Sequence, residues 1–280
     1  MKSRRYRSHY LLIGFMSLVA GMVLGLGLLA YITYLSYTAH AAAYTFDEPL
    51  SFSQMIKADK KPVKVIATMP KPTPTPVVTP DVRIAPIVDG LAPIVTNLQT
   101  NQPVVFLTID DGAHKTPDEL QMLKDNHLKA TLFLARLFID EDPGFFTGFA
   151  AAGNLIEDHT LNHNINMVQT SHEQQKAEIC GMADYELQHY GRRPILYRPP
   201  GGTYNQLMQR AAADCGMKAL VTWIAKANGG SMQYQIGDHL RPGDIVLMHF
   251  RPEFRQDLQA FIDAMKSQHL HTELLENWLP

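Results

Sequence analysis

The pattern of apolar and polar residues divides this chain into three successive segments. A run without charged side chains covers residues 11–37, a proline-rich segment follows, and from Val104 onward short apolar runs alternate with amphipathic stretches. The first run is long enough to cross a hydrocarbon layer of about 30 Å as a helix. We therefore predict a transmembrane signal anchor at 11–37. The basic residues of segment 1–10 should stay in the cytoplasm, which places the rest of the chain outside. The prediction is therefore a single-pass membrane protein.

Small residues after the apolar run leave a second interpretation open. Ala41, Ala42 and Ala43 resemble a signal-peptide cleavage site, although the apolar run is longer than the roughly 7–15 residues typical of such a peptide. The chain is either anchored in the membrane through 11–37 or secreted after cleavage near Ala41–Ala43.

Residues 38–103 are predicted to form an extracytoplasmic linker. Prolines occupy every second position from Pro70 to Pro76, and more prolines follow. Proline fixes φ and lacks the backbone N–H, so this pattern favours an extended, semi-rigid spacer over a helix or a central strand. Such a spacer would hold a domain away from the membrane surface.

Residues 104–280 have the pattern of a folded α/β domain. Runs typical of buried strands occur at 104–109, 130–134, 155–156, 195–197, 218–222 and 245–248. Helices are predicted from Pro117 and over 145–152, 171–190, 204–215 and 254–267. Strands that alternate with helices favour a parallel sheet or barrel.

Composition excludes several classes of function. Apolar residues make up 46% of the 280 positions and charged residues 19%, which excludes a chain disordered throughout. Residues 1–103 carry ten Lys/Arg and five Asp/Glu, whereas residues 104–280 carry fifteen and twenty-two. An acidic folded half is poorly suited to a phosphate backbone, so no nucleic-acid partner is expected. The chain also lacks the Gly-x-Ser-x-Gly motif of serine hydrolases and the phosphate-binding loop of nucleotide enzymes.

Polar residues cluster where strands are predicted to end. Asp110 and Asp111 follow the first strand, and His159 and His163 follow the third. The carboxyl ends of strands carry the chemistry of α/β barrels, so this shared position is more informative than any single residue. We interpret two histidines four residues apart, on one face of a helical turn, together with Asp111 as a metal site with open positions for water. Asp110 is then free to act as a base. The same position after a strand recurs later in the chain, at Arg198, Trp223 and His249.

Four ordered motifs resemble those of a known family: Thr108–Gly112, His159–His163, Arg198–Gly202 and Leu247–His249. The domain is similar to the polysaccharide deacetylases, the NodB-homology domain of carbohydrate esterase family 4, over nearly all of 104–280. The resemblance implies a distorted (β/α) barrel of about seven or eight units. It also implies hydrolysis of an N-acetyl or O-acetyl group on a glycan polymer such as peptidoglycan, with release of acetate. No protein partner is expected.

The resemblance assigns a role to each matched residue. It implies that a divalent metal, Zn²⁺ or else Co²⁺, Ni²⁺ or Mn²⁺, binds to Asp111, His159 and His163. It makes Asp110 the general base and Arg198 the residue that orients it. It makes His249 the general acid and Leu247 the contact to the acetyl methyl group. The backbone N–H of Gly201 is the predicted oxyanion donor, and Trp223 is a predicted substrate contact.

Two departures from the family pattern keep the functional alternatives open. The family often has Tyr at the position of Gly201, and it usually has an Asp after the strand that ends at Trp223, where residues 223–230 contain no carboxylate. His249 would then lack its usual partner, and Asn228 is the residue that could bond the imidazole instead. The chain is an active cell-wall deacetylase, a catalytically impaired carbohydrate-binding protein on the same fold, or a hydrolase of another acyl amide or acetyl ester.

The chain has two cysteines, and they fall on consecutive predicted helices. At 1.5 Å per residue, Cys180 and Cys215 lie at similar levels along those helices. In a barrel the helices would run side by side, so a disulfide bond could form and would persist outside the cytoplasm. Two separate buried thiols are the alternative.

Overall fold

The computed structural model describes residues 79–280, which form a curled α/β sheet with helices packed along its outer face. The predicted cytoplasmic segment, the anchor at 11–37 and most of the predicted linker lie outside the described residues. Within residues 79–280, no helix is both long enough and apolar enough to cross a membrane.

The strands of this part of the chain are β1 (Ile94–Val95), β2 (Val104–Asp111), β3 (Ala130–Leu134), β4 (Leu155–Asp158), β5 (Leu196–Tyr197), β6 (Ala219–Val221), β7 (Ala225–Asn228), β8 (Ser231–Tyr234), β9 (Ile245–His249) and β10 (His271–Thr272). The α-helices are α1 (Pro117–Asp125), α2 (Arg136–Ile139), α3 (Thr147–Ala151), α4 (His172–Tyr190), α5 (Gln206–Asp214) and α6 (Phe254–Ser267). Short 3₁₀ turns lie at Pro143–Phe146, Met167–Gln169, Pro200–Gly202 and Leu275–Trp278.

The sheet is mixed, and its strand ladder has two ends. The order is β1-β6-β5-β4-β3-β2-β9-β7-β8, with β10 beside β2. All pairs are parallel except β7 with β8, which form an antiparallel hairpin. Because β1 and β8 stand at opposite ends of this ladder, the described sheet is open and not a closed barrel. It is a curled half-barrel, and this agrees with the expected α/β class. The parallel strands place their carboxyl ends along one edge, where the candidate residues follow.

The core lies on both sides of the sheet. All eight residues of β2 are buried, as expected for a strand covered on two faces. Phe106 on the concave side packs edge-on against Trp278, which closes the amino-terminal end of the strands. Leu107 on the convex side belongs to a second cluster that includes Phe146 and Phe250 beneath the helices.

The folded domain begins before residue 104, so the predicted linker boundary at 103 is wrong. Ile84, Val95 and Leu98 are buried in the concave core, and β1 pairs with β6. The prolines around this two-residue strand, such as Pro86 and Pro93, obscured its pattern in the sequence.

The bounds of the longer elements agree closely with the sequence prediction, whereas the β7–β8 hairpin was missed. Its strands are short, polar and joined at Gly229 and Gly230, a dipeptide that favours a tight hairpin turn. Cys180 and Cys215 form a disulfide that joins α4 to the end of α5, with their Cα atoms 4.9 Å apart. This confirms the first of the two alternatives for the cysteines.

Candidate active site

Two adjacent aspartates end the central strand β2. Asp110 is 2% exposed, and Asp111 is 8% exposed with a left-handed φ of 78°. Gly112 follows with φ 82°, and a Cβ at this position would lie 2.6 Å from the Ile139 side chain. Glycine is therefore required for the turn that separates the two aspartates from the following loop.

A buried arginine holds one oxygen of Asp110. The Nη1 atom of Arg198 donates to Asp110 Oδ1 and to Thr108 Oγ1, each at 2.7 Å. Its Nε and Nη2 atoms donate to the carbonyl oxygens of Val221 and Thr222 at 3.2 Å. Arg198 is fully buried, and burial lowers its pKa while the Asp110 charge raises it. The four contacts fix the guanidinium and leave Asp110 Oδ2 free of it.

Three potential ligand atoms converge beside this pair. One ligand atom each from Asp111, His159 and His163 lies within 4.8 Å of the other two. The Oδ1 atom of Asp111 is 3.2 Å from His163 Nε2 and 3.6 Å from His159 Nε2. Burial acts to raise the pKa of Asp111, but the two neighbouring imidazoles hold it well below its usual range.

These residues fit a divalent cation. Asp111 Oδ1 is buried and has no hydrogen-bond partner among the described residues. The Nδ1–H of His159 donates to the backbone oxygen of Arg198 at 2.7 Å, which directs the lone pair of its Nε2 toward the carboxylates. An orphaned carboxylate oxygen that faces two imidazole nitrogens matches the ligand set of a catalytic metal site.

The histidines are brought together by a loop and not by the predicted helical turn. Strand β4 continues through Asp158, and the next residues turn sharply, with φ 74° at Thr160 and 49° at His163. Asp158 Oδ1 accepts a hydrogen bond from the Thr160 N–H at 2.8 Å, and Thr160 Oγ1 accepts one from the His163 N–H at 3.1 Å. These local side-chain bonds replace a helical ladder, so the i, i+4 interpretation of the spacing was wrong in its geometry.

His249 lies beside the aspartates on the neighbouring strand. The parallel register of β2 and β9 pairs Asp110 with His249. Burial lowers the pKa of His249, although the charges of Asp110 and Asp111 act to raise it. Within residues 79–280 its ring has no hydrogen-bond partner, and the Asn228 amide oxygen instead accepts from Arg251 at 3.3 Å. Asn228, the residue that could have bonded this imidazole, does not do so among the described residues.

The predicted substrate residues line the same edge of the sheet. Leu247 is buried two residues before His249 and so lies on the same face of β9. Gly201 is exposed in the Pro200–Gly202 turn with φ 67°. The Trp223 indole lies against Gly202, where a Cβ would stand 2.6 Å from its ring. The second glycine of this turn thus makes room for Trp223.

Thr108 belongs to the first motif, and the structure shows a supporting contact for it that was not assigned from the sequence. Its hydroxyl accepts from Arg198 and donates to the Val246 carbonyl at 2.7 Å. Thr108 and Asp110 are two residues apart on β2 and therefore share a face, which is a signal that the sequence contains.

Three potential metal ligands beside a buried Asp–Arg pair, at the carboxyl edge of a curled α/β sheet, form an arrangement in which metal-assisted hydrolysis is chemically feasible. The chain belongs to the polysaccharide deacetylase family, whose model matches residues 97–220. An uncharacterized protein of Streptomyces coelicolor is 37% identical over 195 residues, covering 68% of this chain and 78% of that protein.

Two further comparisons concern a named deacetylase and a solved structure. A peptidoglycan-N-acetylglucosamine deacetylase of Bacillus cereus is 27% identical over 158 residues, 53% of this chain and 73% of that protein. The crystal structure of a pseudoenzyme of carbohydrate esterase family 4 from Bacillus anthracis superimposes with a TM-score of 0.58. It has 21% identity and covers 67% of this chain and 69% of that one, so it shows the shared fold.

Proposed function

We propose that this protein is a metal-dependent deacetylase that removes N-acetyl groups from a cell-wall glycan such as peptidoglycan and releases acetate. The observation that carries the proposal is the convergence of Asp111, His159 and His163 beside the buried Asp110–Arg198 pair. The similarity to the peptidoglycan-N-acetylglucosamine deacetylase supports this class of substrate.

We assign the metal to Asp111, His159 and His163, and we propose Zn²⁺ as the ion, since two imidazoles and one carboxylate are a known ligand set of catalytic zinc. When bound, such an ion supplies Lewis-acid polarisation of an acyl oxygen and of a water molecule. The orphaned Asp111 Oδ1 and the fixed His159 tautomer support this assignment.

The chain's own groups supply the proton transfers. Arg198 occupies Asp110 Oδ1, so Oδ2 is the atom that we assign to accept a proton from the attacking water. His249 would donate a proton to the leaving amine nitrogen, a step that amide hydrolysis requires because an amide anion is a poor leaving group. The Gly201 N–H would donate to the developing oxyanion, and Leu247 would contact the acetyl methyl group.

We also propose that the domain works outside the cytoplasm, anchored through residues 11–37. The Cys180–Cys215 disulfide supports this location, because disulfides persist in oxidising compartments and are rare in the cytosol. The bridge joins helix α4 to the end of α5, and neither cysteine is among the proposed metal ligands, which is typical of a structural bridge.

One observation favours a second function, that of a glycan-binding protein with little catalysis. Within the described residues no carboxylate forms a hydrogen bond with the His249 ring, and residues 223–230 contain no carboxylate. The fold also occurs in a pseudoenzyme. The presence of both Asp110 and His249 argues against this function, since glycan binding alone does not need a base and an acid.

Acetate release from the purified full chain distinguishes the two functions. The substrates are peptidoglycan, chitin oligomers and acetylxylan, each with the protein as purified, after chelation, and after Zn²⁺ is restored. We expect release that stops with the chelator and returns with the metal. Glycan binding without acetate release from any substrate would instead establish the second function, and release from acetylxylan alone would make the protein an esterase.

A further inference from the structure

We propose that Glu178 on helix α4 is a positioning residue of the metal centre, which holds His163 in place through Asn162. The inference deepens the proposed function, because it rests on the assigned metal site. Nothing in the four sequence motifs points to Glu178, which lies 15 residues after His163.

Glu178 makes two hydrogen bonds to a single loop residue. Its Oε2 accepts from the Asn162 backbone N–H at 2.9 Å, and its Oε1 accepts from the Asn162 side-chain amide at 2.6 Å. A carboxylate that accepts two hydrogen bonds fixes both the position and the orientation of its partner. We call these two bonds the Glu178–Asn162 clamp. Asn162 directly precedes His163, so the clamp acts on the peptide that carries this ligand.

The rings of His159 and His163 differ in the contacts that fix their positions, and this difference makes the contact of Glu178 with the loop important. His159 is 2% exposed and its ring is fixed by the Arg198 carbonyl through Nδ1. The His163 side chain is 20% exposed, and within residues 79–280 its Nδ1 has no hydrogen-bond partner. Its ring packs near Phe138, with centroids 5.3 Å apart. The position of His163 therefore depends mainly on its backbone.

That backbone is in a conformation that needs support. Thr160 and His163 both have positive φ, which non-glycine residues keep only when their surroundings hold them. The Leu161 carbonyl accepts from the Leu137 N–H at 2.8 Å on one side of the loop. Glu178 holds the other side.

Helix α4 is a firm base for such a clamp. Gly181 faces Leu161 so closely that a Cβ would lie 2.6 Å from the leucine side chain. Cys180, two residues after Glu178, is bonded to Cys215 and ties α4 to α5. The carboxylate thus projects from a helix that is fixed both to the loop and to its neighbour, as a supporting residue of a metal site must be.

The test is the affinity of the full chain for Zn²⁺ alone, measured by competition with a chromophoric chelator. We expect Glu178→Ala to raise the Zn²⁺ dissociation constant about 10-fold, the lower range for residues that orient metal ligands. Glu178→Gln should stay near the wild type, because its amide can accept from the Asn162 N–H and pair with a reversed Asn162 side chain. Glu173→Ala is the matched control, because Glu173 lies on the same helix with its side chain 84% exposed.

The outcomes separate this inference from the proposed function. A wild-type chain that binds no Zn²⁺ overturns the metal centre and the clamp together. If the wild type binds Zn²⁺ and Glu178→Ala binds it as tightly, the clamp is wrong and the metal centre stands. Equal weakening in Glu173→Ala, or no recovery in Glu178→Gln, would also contradict the clamp. Asn162→Ala keeps the backbone bond, so it should weaken Zn²⁺ binding less than Glu178→Ala and provides a second variant if the latter fails to fold.

Discussion

Carboxyl groups are buried at both ends of this sheet, but their surroundings give them opposite charge states. At the carboxyl ends of the strands, neighbouring imidazoles hold the pKa of Asp111 well below its usual range against the effect of burial. At the amino-terminal end, burial and then the charge of Glu157 raise the pKa of Glu276 to about 8. The same kind of side chain is thus ionised at one end and protonated near neutral pH at the other.

The unpaired oxygen atoms at the two ends show what each environment suits. Asp111 Oδ1 faces two imidazole nitrogens, an arrangement that a cation completes. Glu276 Oε2 accepts from the Thr131 hydroxyl at 3.0 Å, while its Oε1 is buried without a partner among the described residues. Burial alone therefore does not make a functional carboxylate, because the partner side chains decide whether the site favours a metal ion or a proton.

The largest effect should follow from removing a ligand at the carboxyl end. We expect Asp111→Ala or His159→Ala to lose bound metal, with acetate release reduced by more than about 100-fold, since even residues behind the ligands cost up to that much. Metal content after dialysis and acetate release would be measured on the same samples. His239→Ala, an exposed histidine paired with Asp238, is the control. Stoichiometric metal in either ligand variant would make the assignment wrong.

Removing one partner of the buried Asp110–Arg198 pair should cost far more stability than removing one partner of a surface pair. Arg198→Met leaves the Asp110 charge buried without a partner, so we expect the free energy of unfolding to fall by about 3–5 kcal/mol in urea denaturation. Arg255→Met breaks the exposed pair with Asp118 and should cost less than about 1 kcal/mol. Similar losses in both variants would remove the distinction between the site and the surface.

The smallest effect on stability should come from Glu276, at the amino-terminal end of the strands, and here the substitution should raise stability instead of lowering it. The folded pKa of Glu276 is raised from 4.5 to about 8, so the folded state binds more protons between these values. Its contribution to stability is complete below pH 4.5 and is lost as the pH rises to about 8.

Glu276→Gln should therefore unfold with little of this pH dependence, and at pH 8 it should be more stable than the wild type by roughly 1–3 kcal/mol. Urea denaturation at pH 6 and pH 8 measures the difference, with the exposed Glu141→Gln as the control. A variant less stable than the wild type at pH 8 would show that the Glu276 charge is favourable.

The sequence was sufficient to predict the main strands and helices and the residues that follow them. The apolar run at 104–109 and the amphipathic pattern of Phe254–Ser267 are recognisable because burial and periodicity coincide there. Strand β1 was not predictable by the same means, because it has two residues and its register depends on pairing with β6. The polar β7–β8 hairpin likewise has no apolar run.

The site was predictable in its residues and less so in its geometry. The motif residues Asp111, His159 and His163 do converge, but the loop that joins the histidines depends on positive φ values that spacing alone does not reveal. The role of Glu178 was not accessible either, because its contact with Asn162 depends on where α4 packs. Long-range contacts of this kind depend on the tertiary structure and leave no local signal.

The most direct test of the account is the turnover per bound zinc ion of Asp110→Asn, compared with the wild type. The substituted side chain would keep an amide oxygen for Arg198 and leave Asp111 and both histidines in place, so this variant should bind zinc as the wild type does. We predict that acetate release per bound zinc falls by about 10²–10⁴-fold, the usual contribution of a general base. Unchanged acetate release per bound zinc would contradict the claim that this edge of the sheet pairs a metal ion with a catalytic carboxylate.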